Sequence, residues 1–204
     1  MVEKASGLAR WAWSLAAIAL LWLTAPAVTA GQTWSITVLG AADDVRLPAV
    51  AEAVEFWNEQ LASAHASLRL GPIVRHDQRI PDDVLRRIAE PPFTAWASGI
   101  NSIDGDVIVA LSGADLVSHG GPPRRDRKGI VVMRRPDIPP LSLPNVTRNV
   151  MAHEFGHVLG LMHNADPTML MCGRPSDCRP ALFRSDTKVF FPLTDADRRG
   201  LAKH

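Results

Sequence analysis

The segment from His153 to His163 constrains this chain more than any other part of its sequence. It reads His-Glu-Phe-Gly-His-Val-Leu-Gly-Leu-Met-His. Histidines four residues apart project from one face of a helix, about one turn apart, so their rings can meet at one point. Gly160 can adopt the left-handed conformation that ends a helix, which would turn the chain back towards the first two rings. The segment therefore predicts a helix, a tight turn and three imidazoles at one site.

Three neutral imidazoles with one open coordination position are typical of a catalytic zinc ion, because a structural zinc ion has all four positions filled by protein. His153, His157 and His163 are therefore the predicted zinc ligands. Glu154 is rotated about 100° from His153 around the helix axis, so it flanks the metal and does not bind it. We expect Glu154 to act as the general base on a water molecule, which predicts a hydrolase.

Length and charge limit the remaining possibilities. The chain has 204 residues, enough for one ordinary domain and too few for two sizeable ones. Its 22 basic and 21 acidic residues give a net charge of +1, so charge offers no argument for a nucleic-acid partner or for electrostatic membrane binding. The basic run at 124–128 is short and interrupted by Asp126, and we interpret it as a solvated loop.

The first 30 residues differ in composition from the rest. Two basic residues precede an apolar run at 11–23, and small residues follow up to position 30. This order predicts a secretory signal peptide, cleaved before Gly31, and a single catalytic domain at 31–204 outside the cytoplasm or at the cell surface. The alternative is an uncleaved membrane anchor, because the apolar stretch nearly reaches the roughly 20 residues that span a bilayer.

The two cysteines of the chain, Cys172 and Cys178, are interpreted in the light of that export. Outside the cytoplasm a cysteine pair is expected to form a disulfide bond. The loop between them is short, so the bond would stabilise the fold by only roughly 2 kcal/mol. Its predicted role is to hold one turn in shape.

Hydrophobic periodicity predicts four strands and four helices. The expected strands are Trp34–Leu39, Leu68–Val74, Asp106–Leu111 and Gly129–Arg134. The expected helices are one of about 15 residues from Leu47, one at Asp82–Ala89, one capped by Asn145 and running to Leu159, and a C-terminal one capped by Thr194.

The segment from His153 to His163 also matches the metzincin signature His-Glu-x-x-His-x-x-Gly-x-x-His at every fixed position. Its Phe155-Gly156 pair matches the variant of that signature in the matrixins, the matrix-metalloprotease-like family. Met171, eight residues after His163, fits the methionine turn that lies beneath the zinc in this clan. The chain therefore resembles a matrixin, in a reduced, prokaryote-like form.

The resemblance implies an α/β fold with a twisted, mainly parallel sheet, a backing helix, a zinc helix and a small C-terminal part. It also implies a secreted, monomeric zinc metalloendopeptidase that binds an extended peptide along an edge strand, for which Gly129–Met133 is the candidate. The loop that holds structural zinc and calcium in matrixins is missing from 93–130, so the sequence does not support a calcium site. His119 in that region is expected to be an isolated surface residue. Residues between Cys172 and Pro192 are expected to form part of the specificity pocket.

Three alternatives stay open at this stage. The first is a catalytically silent zinc-binding protein of the same fold that acts as a binding module or inhibitor. The second is a membrane-tethered interaction protein held by residues 11–30, which N-terminal sequencing would distinguish from a protein released at Gly31. The third is a metallohydrolase that acts on something other than peptides.

Overall fold

The computed structural model describes residues 31–90, 96–173, 178 and 187–204. The predicted signal or anchor segment at 1–30 lies outside the described residues, as does most of the predicted pocket wall between Cys172 and Pro192. Within the described ranges, no helix has the length and apolar character needed to cross a membrane.

Five strands and four α-helices make up the described fold. The strands are β1 (Thr33–Leu39), β2 (Arg69–His76), β3 (Val107–Leu111), β4 (His119–Gly121) and β5 (Gly129–Met133). The helices are α1 (Leu47–Ser63), α2 (Asp82–Ala89), α3 (Pro144–Val158) and α4 (Asp195–Leu201), with a short 3₁₀ helix at Ser98–Ser102. All four predicted strands and all four predicted helices are confirmed, with boundaries that differ by one or two residues.

The strands form one mixed sheet in the order β2-β1-β3-β5-β4, in which β4 alone is antiparallel to its neighbour. Every residue of β3 and β5 is buried. Continuous apolar strands of this kind are typical of a parallel sheet that is covered on both faces. The predicted fold class, α/β with a mainly parallel sheet, is thus confirmed.

Helices cover the two faces of the sheet unequally. One face, which includes Val109 and Val131, packs against α1 and α3. The opposite face, which includes Ile108 and Val132, packs against α2. Trp57 of α1 is fully buried, and its indole N–H donates a hydrogen bond to the Ala152 carbonyl of α3 at 2.9 Å. This contact helps to hold α3, the helix that carries the predicted zinc ligands, against α1.

The prediction that Gly129–Met133 forms the edge of the sheet is wrong. β5 lies between β3 and β4, so the edge beside it belongs to β4. The error has a physical cause: β4 has three residues, two of them glycine, and glycine carries no strand preference. In the fold, β4 is defined by its pairing with β5, in which His119 lies opposite Val132.

The predicted cap of α3 is also wrong. Leu143 occupies the N-cap position and makes no side-chain cap, and Pro144 begins the helix. Asn145 lies in the first turn, where its side-chain oxygen accepts a hydrogen bond from the Val189 N–H at 3.2 Å. Proline suits the first helical position because its missing N–H would be unpaired there in any case. The cap predicted at Thr194 is confirmed, with Asp197 completing a capping box.

Candidate metal centre

Two of the predicted ligands lie on α3. His153 and His157 are one turn apart, and their Nε2 atoms are separated by 3.2 Å. His153 is buried, while His157 is partly exposed. Because residues four apart share one face of a helix, α3 by itself brings these two rings together.

The third predicted ligand reaches this pair through the turn that ends α3. Gly160 has a φ of +77°, the left-handed conformation predicted for it. After the turn, the Nε2 atom of His163 lies 3.1 Å from that of His153 and 3.0 Å from that of His157. Within the described residues, these three histidines form the one group of three or more side chains placed to hold a metal ion.

Backbone carbonyl groups determine which ring nitrogens carry a proton. The Nδ1 atom of His153 is 2.8 Å from the Leu170 carbonyl oxygen, and that of His157 is 2.8 Å from the Leu161 carbonyl oxygen. A carbonyl oxygen only accepts hydrogen bonds, so each Nδ1 must be the donor. A neutral imidazole has one N–H, and each of these Nε2 atoms therefore presents a lone pair to the other.

This arrangement fits a cation. Two Nε2 lone pairs cannot hydrogen-bond to each other, whereas a positive ion can accept both at once. Zinc–nitrogen bonds of about 2.0–2.1 Å in tetrahedral geometry place their nitrogens about 3.3–3.4 Å apart. The separations of 3.0–3.2 Å between the three Nε2 atoms are close to that value. The donor set can therefore bind zinc with little rearrangement.

Burial assists metal binding because it disfavours protonation of the ring nitrogen to which a metal would bind. Burial lowers the pKa of His157, and the nearby charge of His163 lowers it further, although the hydrogen bond to the Leu161 carbonyl acts in the opposite direction. The neutral ring, which is the form that binds metal, is thereby favoured.

Glu154 is buried next to the histidine cluster. It follows His153 in α3 and is only 6% exposed. The backbone of Glu154 also meets the edge of the sheet, because a Cβ atom added to Gly120 of β4 would collide with its carbonyl group. Gly120 thus permits β4 to approach α3 closely, which places the sheet edge beside the candidate metal centre.

Met171 lies beneath α3 and is fully buried. A Cβ atom added to Gly156 of that helix would collide with its sulfur atom and would approach the indole of Trp57 within 3.1 Å. The methionine turn predicted for this position is thus in direct contact with the helix that carries the ligands.

Gly173 belongs to the site but was not predicted. A Cβ atom added to it would collide with the imidazole of His163. The backbone N–H of Gly173 donates to the Asn164 carbonyl at 3.0 Å, and the Asn164 N–H donates to the Met171 carbonyl at 2.8 Å. The turn that contains Met171 therefore also supports the third histidine. The one signal in the sequence is a glycine two residues after that methionine, which is too weak to find it.

The predicted disulfide bond between Cys172 and Cys178 is present, and their Cα atoms are 5.7 Å apart. Cys172 lies between Met171, which contacts α3, and Gly173, which contacts His163. The bond therefore closes a loop that starts at the support of the candidate metal centre.

His119 differs from the isolated surface residue that was expected. It lies on β4 and is half-buried. Burial lowers its pKa to about 4, with further contributions from the charges of His157 and Arg127. It is not one of the three side chains grouped around the candidate metal centre, but it is near enough to His157 to feel its charge.

Comparisons with known proteins found structural similarity but no sequence match. No protein-family model matches the chain, and no curated protein sequence matches it. Among solved structures, the chain is similar to the crystal structure of archaemetzincin from Methanopyrus kandleri, with a TM-score of 0.46 and 15% sequence identity. The match covers 86% of this chain and 96% of that one. A likeness of this size does not determine an activity, and the narrower resemblance to matrixins receives no support from it.

Proposed function

We propose that this protein is an exported zinc metalloendopeptidase that hydrolyses internal peptide bonds. One observation carries the proposal. The Nε2 atoms of His153, His157 and His163 lie within 3.2 Å of one another. Carbonyl groups direct the lone pairs of the first two towards a common point. Three histidine ligands leave one position of a tetrahedral zinc ion open for chemistry.

The proposed chemistry divides between the ion and Glu154. When bound at such a site, zinc lowers the pKa of a coordinated water molecule to about 7 and polarises a carbonyl oxygen. The proposed role of Glu154 is to accept the proton of the attacking water and to deliver it to the departing amine. Its burial supports this role, because charges interact more strongly where bulk water is excluded.

The edge of the sheet supports a peptide as the substrate. β4 is the last strand on its side of the described sheet, and it packs against α3 at Glu154 through Gly120. An extended peptide can add to such an edge as a further strand, with backbone hydrogen bonds that do not depend on its sequence. Strand addition at β4 would place the peptide backbone beside the three histidines.

Export is part of the proposal. We propose that residues 1–30 direct the chain out of the cytoplasm and that the domain acts there as a monomer without a nucleic-acid partner. The disulfide bond between Cys172 and Cys178 supports an oxidising compartment, where such bonds persist.

Replacing Glu154 with glutamine tests the assigned chemistry. We expect the wild-type protein and Glu154→Gln each to bind one zinc ion per chain. Glu154→Gln should hydrolyse peptides at least about 10²-fold more slowly, because the general base is lost. Metal content measured by atomic emission and cleavage of a fluorogenic peptide mixture report the two properties separately.

The matched controls are a chelator and a ligand variant. Chelation should abolish cleavage by the wild-type protein, and His157→Ala should lose both zinc and activity. Wild-type protein that binds zinc but cleaves no peptide would favour the silent binding module. Near-full activity of Glu154→Gln would disprove the role assigned to that residue.

A further inference from the structure

A basic hairpin continues the edge strand. Beyond Gly121, two prolines lead into residues 124–128, which read Arg-Arg-Asp-Arg-Lys and are called here the cationic hairpin. The N–H of Arg124 donates to the Arg127 carbonyl at 2.8 Å, and the N–H of Arg127 donates back at 3.2 Å. The solvated loop expected from the sequence is therefore a hairpin of defined shape.

Two of the four basic side chains in the cationic hairpin contact other parts of the protein. The Lys128 ammonium group donates to the Gly105 carbonyl at 2.7 Å and to the carbonyl of Ile103. The guanidinium of Arg127 lies over the Trp96 ring, 6.0 Å from its centre. These contacts fix the base of the hairpin.

The other two cations face the solvent. Arg124 and Arg125 are both exposed. In the described part of the chain, no side chain of the cationic hairpin forms an ion pair, whereas six other basic side chains do. With Asp126 included, the hairpin keeps a net charge of +3. It lines a surface depression of about 640 Å³ together with Trp34 of β1 and Asp106, which precedes β3.

This depression lies at the end of the sheet that is next to the C-terminal end of α3. A Cβ atom on Gly129, the first residue of β5, would be 3.1 Å from Val158, the last residue of α3, and 3.4 Å from Pro123. The cationic hairpin and the candidate metal centre thus flank the same edge strand.

The spacing of residues along the chain from β4 gives the distance between Glu154 and the cationic hairpin. Gly120 lies beside Glu154, and Arg124 follows four residues later. At about 3.3 Å per residue, a peptide laid along this edge covers at most about 13 Å between the two, which corresponds to about four of its own residues. The Debye length is about 8 Å at physiological ionic strength. Peptide side chains about four residues from the scissile bond would lie beside Arg124 and Arg125, within that length, and would feel their charges.

We propose that the cationic hairpin selects peptides with acidic residues at the third to fifth positions on the N-terminal side of the scissile bond. The direction follows from antiparallel pairing with β4, the more common arrangement, which runs the N-terminal half of the peptide towards the hairpin. This inference rests on the proposed peptidase function and specifies its substrate class.

A digest of a proteome-derived peptide mixture tests the inference and locates the preferred cleavage site in the same experiment. Zinc-loaded wild-type protein digests the mixture, and mass spectrometry of the products gives residue frequencies at each position around the cut. We expect Asp and Glu to be enriched at positions three to five before the cut. For a single peptide with two acidic residues there, kcat/KM should exceed that of its Gln counterpart about tenfold.

A matched pair of charge reversals controls for net charge. Arg124→Glu/Arg125→Glu should lose the enrichment, and Arg124→Gln/Arg125→Gln should give an intermediate result. Arg86→Glu/Arg87→Glu changes another exposed pair by the same charge, on α2 at the opposite face of the sheet, and should keep the wild-type preference. Equal zinc content in all four proteins confirms that each site is intact. The preference should also weaken in roughly 0.5 M NaCl, because salt shortens the range of exposed charges.

The outcomes separate the two proposals. Cleavage without acidic enrichment, enrichment after the cut, or enrichment that survives both hairpin variants would overturn the inference and leave the peptidase function intact. No cleavage by the zinc-loaded wild-type protein would overturn the peptidase function and the inference together.

Discussion

Arg46 and the three histidines form two polar clusters, of which the first is buried and the second extends from buried His153 to exposed His163. Arg46 is 2% exposed, and it makes a two-pronged ion pair with Asp44. It also donates to the carbonyl groups of Ser112, Met133 and Arg134, where β3 and β5 end. The Arg46 guanidinium supplies the positive charge that the carboxylate and carbonyl oxygens around it need.

The histidine cluster is arranged differently. The Nδ1 atoms of His153 and His157 are used by carbonyl groups, and their Nε2 atoms face each other at 3.2 Å. The first cluster brings its own cation to its acceptors, while the second directs ring nitrogens to a point where a cation could bind. The difference teaches that burial of polar groups does not by itself mark a candidate functional site, because the buried groups around Arg46 are paired with its own charge.

Loss of Arg46 should have the largest effect, and that effect should be on folding. Arg46→Leu leaves the carboxylate of Asp44 and three carbonyl groups buried without their donor. We expect the free energy of unfolding to fall by about 3–5 kcal/mol, as for other broken buried ion pairs. Urea unfolding of the zinc-free protein measures this change.

A matched control comes from Arg135 and Asp137, which form the same two-pronged pair at the surface. Arg135→Leu should change stability far less, because water screens exposed ion pairs. Burial raises the pKa of Asp44, but hydrogen bonds and charge from Arg46 outweigh it and hold the pKa below the ordinary 3.8. The stabilisation is thus present above the unfolded pKa and is lost as pH falls through the folded one. Equal losses in the two variants would contradict the contrast between the clusters.

Gly173→Ala should have the next largest effect, and that effect should be on zinc affinity. The new methyl group would collide with the His163 ring, so the third ligand must move. We expect a loss of about 10- to 100-fold in zinc affinity, the range found when groups that orient ligands are altered. Competition with a chelator of known affinity measures it.

Gly99→Ala is the control for adding a methyl group, since nothing lies within 4 Å of a Cβ atom there. It should leave zinc affinity unchanged. Unaltered zinc affinity in Gly173→Ala would show that the support of His163 does not depend on this contact.

Removal of the disulfide bond should have the smallest effect. The Cys172–Cys178 loop is short, with a sequence separation of six, so Cys172→Ala/Cys178→Ala should cost at most about 2 kcal/mol in unfolding free energy. Because the chain has two cysteines in all, a reductant should destabilise the wild-type protein and leave the double variant unchanged. A large loss of zinc affinity in the variant would instead place the bond within the metal centre.

Local patterns explain why much of the fold was predictable. The zinc helix, its glycine turn and the spacing of the three histidines lie within eleven residues, and helical periodicity alone brings two of the rings together. The buried strands β3 and β5 were found because continuous apolar runs are their signature. The capping box at Thr194 depends on residues three apart.

Contacts between distant residues explain what was missed. β4 becomes a strand because it pairs with β5 and because Gly120 fits against Glu154, 34 positions along the chain. Arg46 looks like any surface arginine until β3 and β5 present their carbonyl groups to it. Asn145 is a residue type that commonly caps helices, but its side-chain oxygen instead accepts a hydrogen bond from the backbone N–H of Val189.

The sequence by itself predicted the candidate metal ligands within residues 153–163, because ligand type and helical spacing are local properties. The tertiary structure decided which strand forms the edge, which polar cluster carries its own cation, and that a basic hairpin follows the edge strand. Those features depend on burial and on pairing between distant segments, and neither is encoded in short-range pattern.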